Sequence, residues 1–340
     1  MDNVIQVLIT LPFTEKQIAG LRQISDRLHF TVYKAKKSEE IPAELWDQTE
    51  ILYTSVVLPK TIEQAPRLRW IQFHWAGLDH VHNSPILRQP NLYITSASGA
   101  NSTQVAEFAV MMILALGHQM HQFFELKKKI EWPADRWDRL NPRELRNSTV
   151  GIIGYGSIGR QIARLLQPFG CKVLACKRNA MKPEEHGYIP DDQGDPQAEL
   201  VHRLYPGKAT RSMVKECDFI VVCLPKTEET INFIGGDELA VMKNEAFLID
   251  ISRGGIVNHS ALITALKEHK IAGAALDVFP EEPLPADDPL WKLPNVIISP
   301  HVAGISNQYD QRAIDLFAIN LDRYLNQEPP INLFHPELGY

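Results

Sequence analysis

Short apolar runs alternate with amphipathic segments along most of this chain of 340 residues. The runs have the length of buried strands, and the segments between them carry apolar residues at the spacing of one helix face. In the first hundred residues the pattern predicts strands at 4–9, 30–33, 51–54, 70–73 and 92–95, and a helix at 15–24. Such alternation predicts an α/β fold, in which helices cover a parallel sheet.

Residues 102–129 are predicted to form one long helix, whose broad apolar surface favours burial between domains or between subunits. An arm rich in tryptophan, proline and charge follows at 131–145 and is expected to be exposed. Further on, the pattern predicts strands at 172–176, 218–225, 246–252, 271–279 and 295–301, with helices at 255–266 and 311–326. The polar insertion at 179–216 is long for a connection between a strand and a helix, so part of it is predicted to be an exposed loop.

The clearest motif is the glycine-rich turn GYGSIG at residues 154–159. A strand pattern precedes it and a helix pattern continues from it to Gly170, which is the start of a βαβ unit. Gly154 permits a tight turn, Gly156 lets the backbone approach a pyrophosphate, and Gly159 lets the helix pack closely on the strand. The free N–H groups at the start of the helix suit phosphate. In this context the motif predicts a dinucleotide site.

Composition narrows the class of protein. The length is typical of about two domains, and 44% hydrophobic with 22% charged residues is typical of a globular protein with a sizeable core. The net charge of −6 argues against nucleic-acid or anionic-membrane partners, and no apolar run approaches the ~20 residues that cross a bilayer. There is no signal-peptide pattern and no C-x-x-C pair, so we expect reduced thiols and a cytoplasmic location. His118 and His121 lie three residues apart, but no third ligand is evident nearby, so no metal site is predicted.

Three side chains of complementary chemistry lie at the ends of predicted strands. Arg253 follows the strand at 246–252, Glu282 comes shortly after 271–279, and His301 ends the last strand. Ligands bind outside the carboxyl ends of the strands in open α/β sheets, so the three should meet in one crevice. A guanidinium binds a carboxylate and polarises a carbonyl, an imidazole supplies a proton, and a carboxylate beside it favours its charged form. Reduction of a ketone by hydride needs these groups, although each alone also fits a surface charge or a loop residue.

A second candidate site is the loop WAGL, which follows the predicted strand at 70–73. Small residues in such a loop leave backbone N–H groups open to a carboxylate. An ordinary turn at the end of a strand explains the pattern equally well. The candidate substrate residues here are Trp75, Ala76, Gly77 and Leu78.

Five motifs in order resemble the D-isomer-specific 2-hydroxyacid dehydrogenase family. They are GYGSIG, ECDFIVVCLPKTEET, DISRGGIV, LDVFPEEPLP and SPHVAG, and WIQFHWAGLDHV and QVAEFAV also look like segments of that family. The resemblance covers essentially the whole chain. It implies that Arg253, Glu282 and His301 are the catalytic residues, and that backbone amides of the loop at 75–78, with Arg253, hold the substrate carboxylate.

The resemblance also implies two Rossmann-like βα domains with parallel sheets and an active-site cleft between them. Residues 1–103 and 303–340 would form a flavodoxin-like substrate domain, and residues 104–302 a dinucleotide-binding Rossmann domain. A homodimer built on the cofactor domains and the long helix is implied as well, and Trp137 matches a tryptophan that is sometimes presented to the neighbouring active site. The expected cofactor contacts are Gly154, Tyr155, Gly156, Ser157, Ile158, Gly159, Lys177, Arg178, Leu224, Pro225, Thr230, Ile251, Ser252, Arg253, Asp277, His301 and Gly304, of which Asp277 would lie on the nicotinamide side.

The end of the second strand in the dinucleotide unit departs from the pattern of NAD sites. Such sites place an Asp or Glu on the ribose 2′-OH about 20 residues beyond the glycine turn. This chain instead has Cys176, Lys177 and Arg178. The two cations suit a 2′-phosphate through charge-assisted hydrogen bonds, and the alternative is a solvated basic strand end. We therefore predict that NADP(H) is preferred over NAD(H), with reduction as the working direction.

The predicted function is NAD(P)H-dependent reduction of a small 2-ketoacid, of the glyoxylate or hydroxypyruvate type, to the D-2-hydroxyacid, with the proton coming from His301. Two alternatives stay open. One is a phosphoglycerate dehydrogenase of serine synthesis. The other is a dehydrogenase-derived regulator that senses the dinucleotide and recruits partners, which turnover of simple 2-ketoacids would distinguish from an enzyme. A formate-type enzyme fits less well, because Glu282 fits a ketoacid site.

Overall fold

The computed structural model of the protein describes residues 4–190 and 193–337. The chain forms two compact units, one made of Met1–Asn101 with Ser306–Tyr340 and the other of Ser102–Ile305. Each unit contains one fully parallel sheet with helices beside it, so the α/β class predicted from the alternating pattern is confirmed. Helices and strands are numbered along the chain.

The first unit is built on a five-stranded sheet. Its strands are β1 (Ile5–Ile9), β2 (Leu28–Val32), β3 (Ile51–Thr54), β4 (Trp70–Phe73) and β5 (Tyr93–Thr95), and its helices are α1 (Glu15–Arg22), α2 (Ala43–Gln48) and α10 (Tyr309–Leu325). The strand order β2-β1-β3-β4-β5 is that of doubly wound, flavodoxin-like sheets. Helix α1 begins where the sequence predicts because Thr14 and Gln17 form a capping box at its start.

The second unit is built on a seven-stranded sheet. Its strands are β6 (Thr149–Ile153), β7 (Lys172–Lys177), β8 (Arg203–Pro206), β9 (Phe219–Val222), β10 (Phe247–Asp250), β11 (Gly273–Leu276) and β12 (Val296–Ile298). Its helices are α3 (Ser102–Gly117), α4 (Met120–Lys129), α5 (Arg136–Arg139), α6 (Ser157–Leu166), α7 (Thr210–Val214), α8 (Gly236–Ala240) and α9 (His259–Lys267). The order β12-β11-β10-β9-β6-β7-β8 contains the Rossmann order, with its switch point between β6 and β9.

Apolar side chains cover both faces of each sheet, which is why the strands read as continuous apolar runs. In the first unit, Trp46 and Phe73 belong to one core, while Trp70 and Phe317 belong to the core under α10. In the second unit, α3 and α6 pack on one face and α7, α8 and α9 on the other. Among the described residues, no helix combines the length and the apolar character that crossing a bilayer requires.

The structure corrects the prediction of a single helix at 102–129. The helix stops at Gly117, whose carbonyl accepts the N–H of Arg143 at 2.9 Å. The chain then turns through Gln119, which has a left-handed backbone with φ of 55°, before α4 begins. Apolar spacing alone does not reveal this break, because the partner of the Gly117 carbonyl lies more than twenty residues further along the chain.

Besides small shifts at the ends of several strands and helices, two other regions differ from their predictions. The insertion at 179–216 is not only a loop, because residues Arg203–Pro206 add β8 to the edge of the sheet beside β7 and α7 follows. The helix predicted at 255–266 begins at His259, since the side chain of Asn258 accepts the Ala261 N–H and so caps it there.

Candidate active site

The glycine-rich turn lies at the switch point of the seven-stranded sheet. Gly154 has φ of +107°, and a Cβ there would lie 2.7 Å from the carbonyl oxygen of Cys223, just after β9. A Cβ on Gly159 would meet the Gly154 oxygen at 2.2 Å, so the helix packs directly on the turn. By contrast, a Cβ built on Gly156, the N-cap of α6, would meet no described atom within 4 Å outside its own stretch of chain. The turn therefore leaves room beside Gly156, and with the N–H groups at the start of α6, including those of Ser157 and Ile158, it fits a dinucleotide pyrophosphate.

The insertion is anchored to this turn and to α6. The Tyr155 hydroxyl donates to Asp195 Oδ2 at 2.5 Å. Arg160 on α6 is buried, its guanidinium donates to the carbonyls of Asp195 and Pro183, and its Cζ lies 4.7 Å from the centre of the Tyr155 ring. The Tyr155 hydroxyl is therefore engaged in a hydrogen bond to the insertion at 179–216.

Both predicted cations lie at the carboxyl end of β7, and both have protein partners. Lys177 Nζ donates to the carbonyl of Glu184 at 2.9 Å and to that of Pro183 at 3.3 Å. Burial and the charge of Arg160 lower the pKa of Lys177, against the opposing charge of neighbouring glutamates. Arg178 Nη2 lies 3.2 Å from Glu229 Oε2. The insertion therefore fixes the Lys177 ammonium at the strand end.

Other predicted cofactor residues lie on loops that follow strands of the same sheet. Leu224 and Pro225 come directly after β9, and the Thr230 hydroxyl closes their loop by donating to the Pro225 carbonyl at 2.8 Å. Ile251 and Ser252 follow β10 and are buried. The Gly304 carbonyl accepts the side-chain amide of Gln104 at 2.9 Å.

Glu282 and His301 form a close pair. Glu282 Oε2 lies 2.7 Å from His301 Nδ1, while Oε1 accepts the Phe279 N–H at 2.9 Å. Burial raises the pKa of Glu282, but the hydrogen bonds from His301 and Phe279 and the charges of His301 and Arg253 outweigh it, so its pKa is lowered. The ionised carboxylate only accepts hydrogen bonds, so Nδ1 of His301 carries the hydrogen and Nε2 is the atom left for substrate.

Arg253 belongs to the same cluster. Its Nη1 donates to the Ser252 carbonyl at 2.8 Å. A Cβ on the next residue, Gly254, would lie 1.8 Å from the Phe279 oxygen, so the Arg253 turn rests directly on the turn that leads to Glu282. Sequence reasoning did not single out Gly254, although the pair of glycines after Arg253 is a signal of close backbone approach. The structure brings the three predicted catalytic residues together within one unit.

Asp277 holds the turn that carries His301. Its Oδ1 accepts the Ser299 hydroxyl at 2.7 Å and the Val302 N–H at 2.9 Å, and its Oδ2 accepts the Ala303 N–H at 3.0 Å. His301 itself has a left-handed backbone, with φ of 53°, and its side chain is 45% exposed. Strain of this kind is typical of functional positions. The family resemblance implies that Asp277 lies on the nicotinamide side, and the structure shows that both of its oxygens accept hydrogen bonds from the turn that carries His301.

The loop at 75–78 lies in the first unit, directly after β4. The N–H groups of Gly77 and Leu78 donate to no acceptor within residues 4–190 and 193–337. The Trp75 carbonyl accepts the Ala97 N–H at 3.0 Å, which ties the start of the loop to the chain beyond β5. Two consecutive amides of this kind suit an anion.

Comparisons with known proteins agree with this geometry. The family model for D-isomer specific 2-hydroxyacid dehydrogenases, NAD binding domain, matches residues 110–303. The chain is 30% identical to a glyoxylate reductase of Korarchaeum cryptofilum, over 98% of this chain and 96% of that one, and 32% identical to a glyoxylate reductase of Thermococcus gammatolerans with the same coverage. The chain belongs to the D-isomer specific 2-hydroxyacid dehydrogenase family.

A solved structure of the family extends the likeness to the fold. It is an NADPH-dependent glyoxylate/hydroxypyruvate reductase from Sinorhizobium meliloti, in complex with NADP and sulfate. That structure is 25% identical and matches with a TM-score of 0.75, over 99% of this chain and all of that one. The prediction of the family from the five motifs is confirmed.

Sequence reasoning also missed Asp250 of this dehydrogenase site, at the end of β10. Its carboxylate accepts the N–H of Ser252 at 3.0 Å and also the Ser252 hydroxyl. Burial raises the pKa of Asp250 to about 7, with a further contribution from the charge of Asp277 and against the two hydrogen bonds from Ser252. The available signal was an acid within the apolar run AFLIDIS.

Replacing Asp250 with asparagine should flatten the dependence of stability on pH. Because folding raises the pKa of Asp250 above its ordinary 3.8, its contribution to the free energy of unfolding is present at low pH and is lost as pH rises through about 7. Asparagine keeps an acceptor for Ser252 but does not ionise. We expect the fall in Tm between about pH 5.5 and pH 8.5 to be smaller in D250N by ~3 °C, equivalent to ~1 kcal/mol.

Thermal unfolding at several pH values checks this expectation. The control is Asp237→Asn, which removes an exposed carboxylate paired with Arg211. Parallel pH profiles for wild type and D250N would show that Asp250 does not titrate as described.

No metal centre accompanies this site in the described part of the chain, where no group of three His, Cys, Asp or Glu side chains is arranged to hold an ion.

Proposed function

We propose that the protein reduces small 2-ketoacids to D-2-hydroxyacids with NAD(P)H. The observation that carries the proposal is the cluster of Arg253, Glu282 and His301, in which the Glu282 carboxylate is hydrogen-bonded to the imidazole and lies within the field of the guanidinium, in the dinucleotide-binding unit. The glyoxylate reductases among the relatives support a substrate of this size.

Bound nicotinamide supplies the hydride. His301 donates a proton from Nε2 to the carbonyl oxygen of the substrate, because Nδ1 is held by Glu282 at 2.7 Å and the ring is fixed in one orientation. Arg253 binds the substrate carboxylate and polarises the carbonyl, and its hydrogen bond to Ser252 directs the guanidinium. Asp277 keeps His301 in place because its carboxylate accepts the backbone N–H groups of the two residues that follow His301.

The substrate domain of this proposal is the first unit. Its loop at 75–78 offers the amides of Gly77 and Leu78 to the carboxylate, and the dinucleotide lies on the turn at 154–159 in the second unit.

We propose a cytoplasmic location from composition alone.

Product stereochemistry tests the reaction. With hydroxypyruvate and NADPH, the expected product is D-glycerate, identified by chiral chromatography. The L-isomer would refute the proposal. A phosphoglycerate dehydrogenase would instead act on phosphohydroxypyruvate far better than on hydroxypyruvate, and a dinucleotide-sensing regulator would bind NADPH and reduce neither.

We further propose that NADP(H) is preferred over NAD(H). The carboxyl end of β7 carries Lys177 and Arg178, and the related reductase from Sinorhizobium meliloti is NADPH-dependent. Replacing either cation with serine should raise KM for NADPH ~10–100-fold and change KM for NADH about twofold at most, because a hydrogen bond to a charged group contributes ~1.5–3 kcal/mol. Initial rates with each coenzyme give KM for NADPH and KM for NADH in wild type and in each variant.

The matched control is Lys172→Ser. Lys172 begins the same strand and pairs with Glu216 at 3.3 Å, at the opposite end from the glycine turn. It should leave both coenzyme constants unchanged. An equal loss for NADPH and NADH in the Lys177 and Arg178 variants would refute the 2′-phosphate assignment.

A homodimer is proposed as well, because α4 and the arm after it expose large apolar side chains. Those most exposed are Phe124, Ile130, Trp132 and Trp137. A second copy of the chain would cover them, and the mass in solution tests this.

A further inference from the structure

The carboxylate-binding loop proposed above depends on residues that the reaction itself does not use. Its amides, those of Gly77 and Leu78, lie just beyond β4, and two of the residues between the strand and these amides are His74 and Trp75. A backbone anion site binds well only if its N–H groups keep one orientation, so whatever fixes these two residues sets the affinity of the loop. Both are contacted by the first residue of α10.

Tyr309 holds the loop from the side of α10. Its hydroxyl donates to the His74 carbonyl at 2.7 Å, and its ring stacks on Trp75 with the ring centres 5.6 Å apart and the planes at 25°. The phenol is buried, which raises its pKa, while the Ala76 N–H lies against the same oxygen and lowers it. One side chain therefore contacts the three consecutive residues 74–76 and leaves the Gly77 and Leu78 amides for a ligand.

His74 is fixed from a second direction. Its side chain is 3% exposed, its Nδ1 lies 2.8 Å from the Tyr53 hydroxyl, and its Nε2 lies 3.3 Å from Asp310 Oδ1. Burial lowers the pKa of His74, against the charge of Asp310, and burial raises the pKa of Tyr53. With both groups neutral, Tyr53 donates to Nδ1 and the Nε2–H donates to Asp310, because the other tautomer would place a lone pair against a carboxylate.

We propose that Tyr309 is a positioning residue that fixes the backbone of residues 74–78 and thereby sets the affinity for the substrate carboxylate. Asp310 supports it through His74. The inference rests on the proposed function of the loop, and it adds that the first turn of α10 determines KM for the ketoacid without touching the substrate.

Tyr309→Phe tests the proposal, since it removes only the hydroxyl. We expect KM for glyoxylate to rise ~5–10-fold, as for the loss of one neutral hydrogen bond. The kcat and the KM for NADPH should stay within about twofold of wild type, because the turn that binds NADPH lies in the other unit. The matched control is Tyr324→Phe on the same helix, whose hydroxyl donates to Glu50 at 2.8 Å. It should leave all three constants unchanged.

Titration calorimetry with oxamate, in the presence of NADPH, separates this proposal from the proposed function. Oxamate carries the carboxylate but is not reduced, so Y309F should bind it ~5–10-fold more weakly than wild type even if no ketoacid is turned over. Turnover by wild type with an unchanged glyoxylate KM in Y309F would overturn the positioning role. Equal effects of Y309F and Y324F, or no oxamate binding by wild type, would overturn it too.

If Y309F does not fold, a second variant tests the same proposal. Asp310→Asn changes an exposed side chain and removes the charge that the His74 Nε2–H faces. It should raise the oxamate dissociation constant ~2–3-fold, a smaller effect because it acts through His74. An unchanged constant in D310N would show that His74 and Asp310 do not support the loop.

Discussion

Replacing His301 with alanine should lower kcat for glyoxylate reduction by about 10³-fold, within the range that a positioned general acid contributes. The variant loses the atom proposed to give the proton, while Glu282 keeps its hydrogen bond from the Phe279 N–H. The dissociation constant for NADPH should change little, because the glycine turn and the N-terminus of α6 are untouched. Steady-state kinetics and a fluorescence titration with NADPH give the two values.

The control for this variant is His269→Ala. His269 is also exposed and also has a left-handed backbone, with φ of 51°, but it lies just beyond α9, away from the cluster. Its loss should leave kcat unchanged. An H301A enzyme with the kcat of wild type would show that His301 is not the proton donor.

Replacing Arg253 with alanine should lower kcat/KM for glyoxylate by about 10³-fold, comparable to the loss of a preorganised group that stabilises developing charge. The guanidinium is proposed to bind the carboxylate and to polarise the carbonyl, so KM should rise and kcat should fall. Added guanidinium ion, kept well below denaturing concentration, should restore part of the activity of R253A because it replaces the missing group.

Arg143→Ala is the control for the arginine. Arg143 lies in the same unit, and its guanidinium pairs with Asp218 at 2.8 Å. R143A therefore also removes a guanidinium from this unit, but one that lies outside the site. Its kinetic constants should match those of wild type. Equal losses in both variants, or no rescue of R253A by guanidinium, would contradict the assigned role.

The sequence was informative about the fold where strands are buried on both faces. The runs at 51–54 and 70–73 appear in the structure with those bounds, because two covered faces require unbroken apolar residues. β8 was missed because it is an edge strand of four residues with only Tyr205 buried. The stop at Gly117 was missed because it depends on a hydrogen bond from Arg143.

The residues of the site also divide into those that a local sequence pattern reveals and those that depend on burial or on distant contacts. Arg253, Glu282 and His301 could be found because each follows a strand and carries a chemically distinctive side chain. Asp250 was hidden within an apolar strand, where only burial distinguishes a site residue from a surface acid. Tyr309 lies two residues before the helix predicted at 311–326, and its partner His74 lies 235 residues away in sequence. No local pattern encodes such a contact.

The most direct test of the central claim is the initial rate of loss of nicotinamide absorbance with glyoxylate, hydroxypyruvate and phenylpyruvate, each with NADPH and with NADH. The account predicts turnover of glyoxylate or hydroxypyruvate, faster with NADPH at low coenzyme concentration. Tight NADPH binding without turnover of any of the three would contradict it and favour a dinucleotide-sensing regulator.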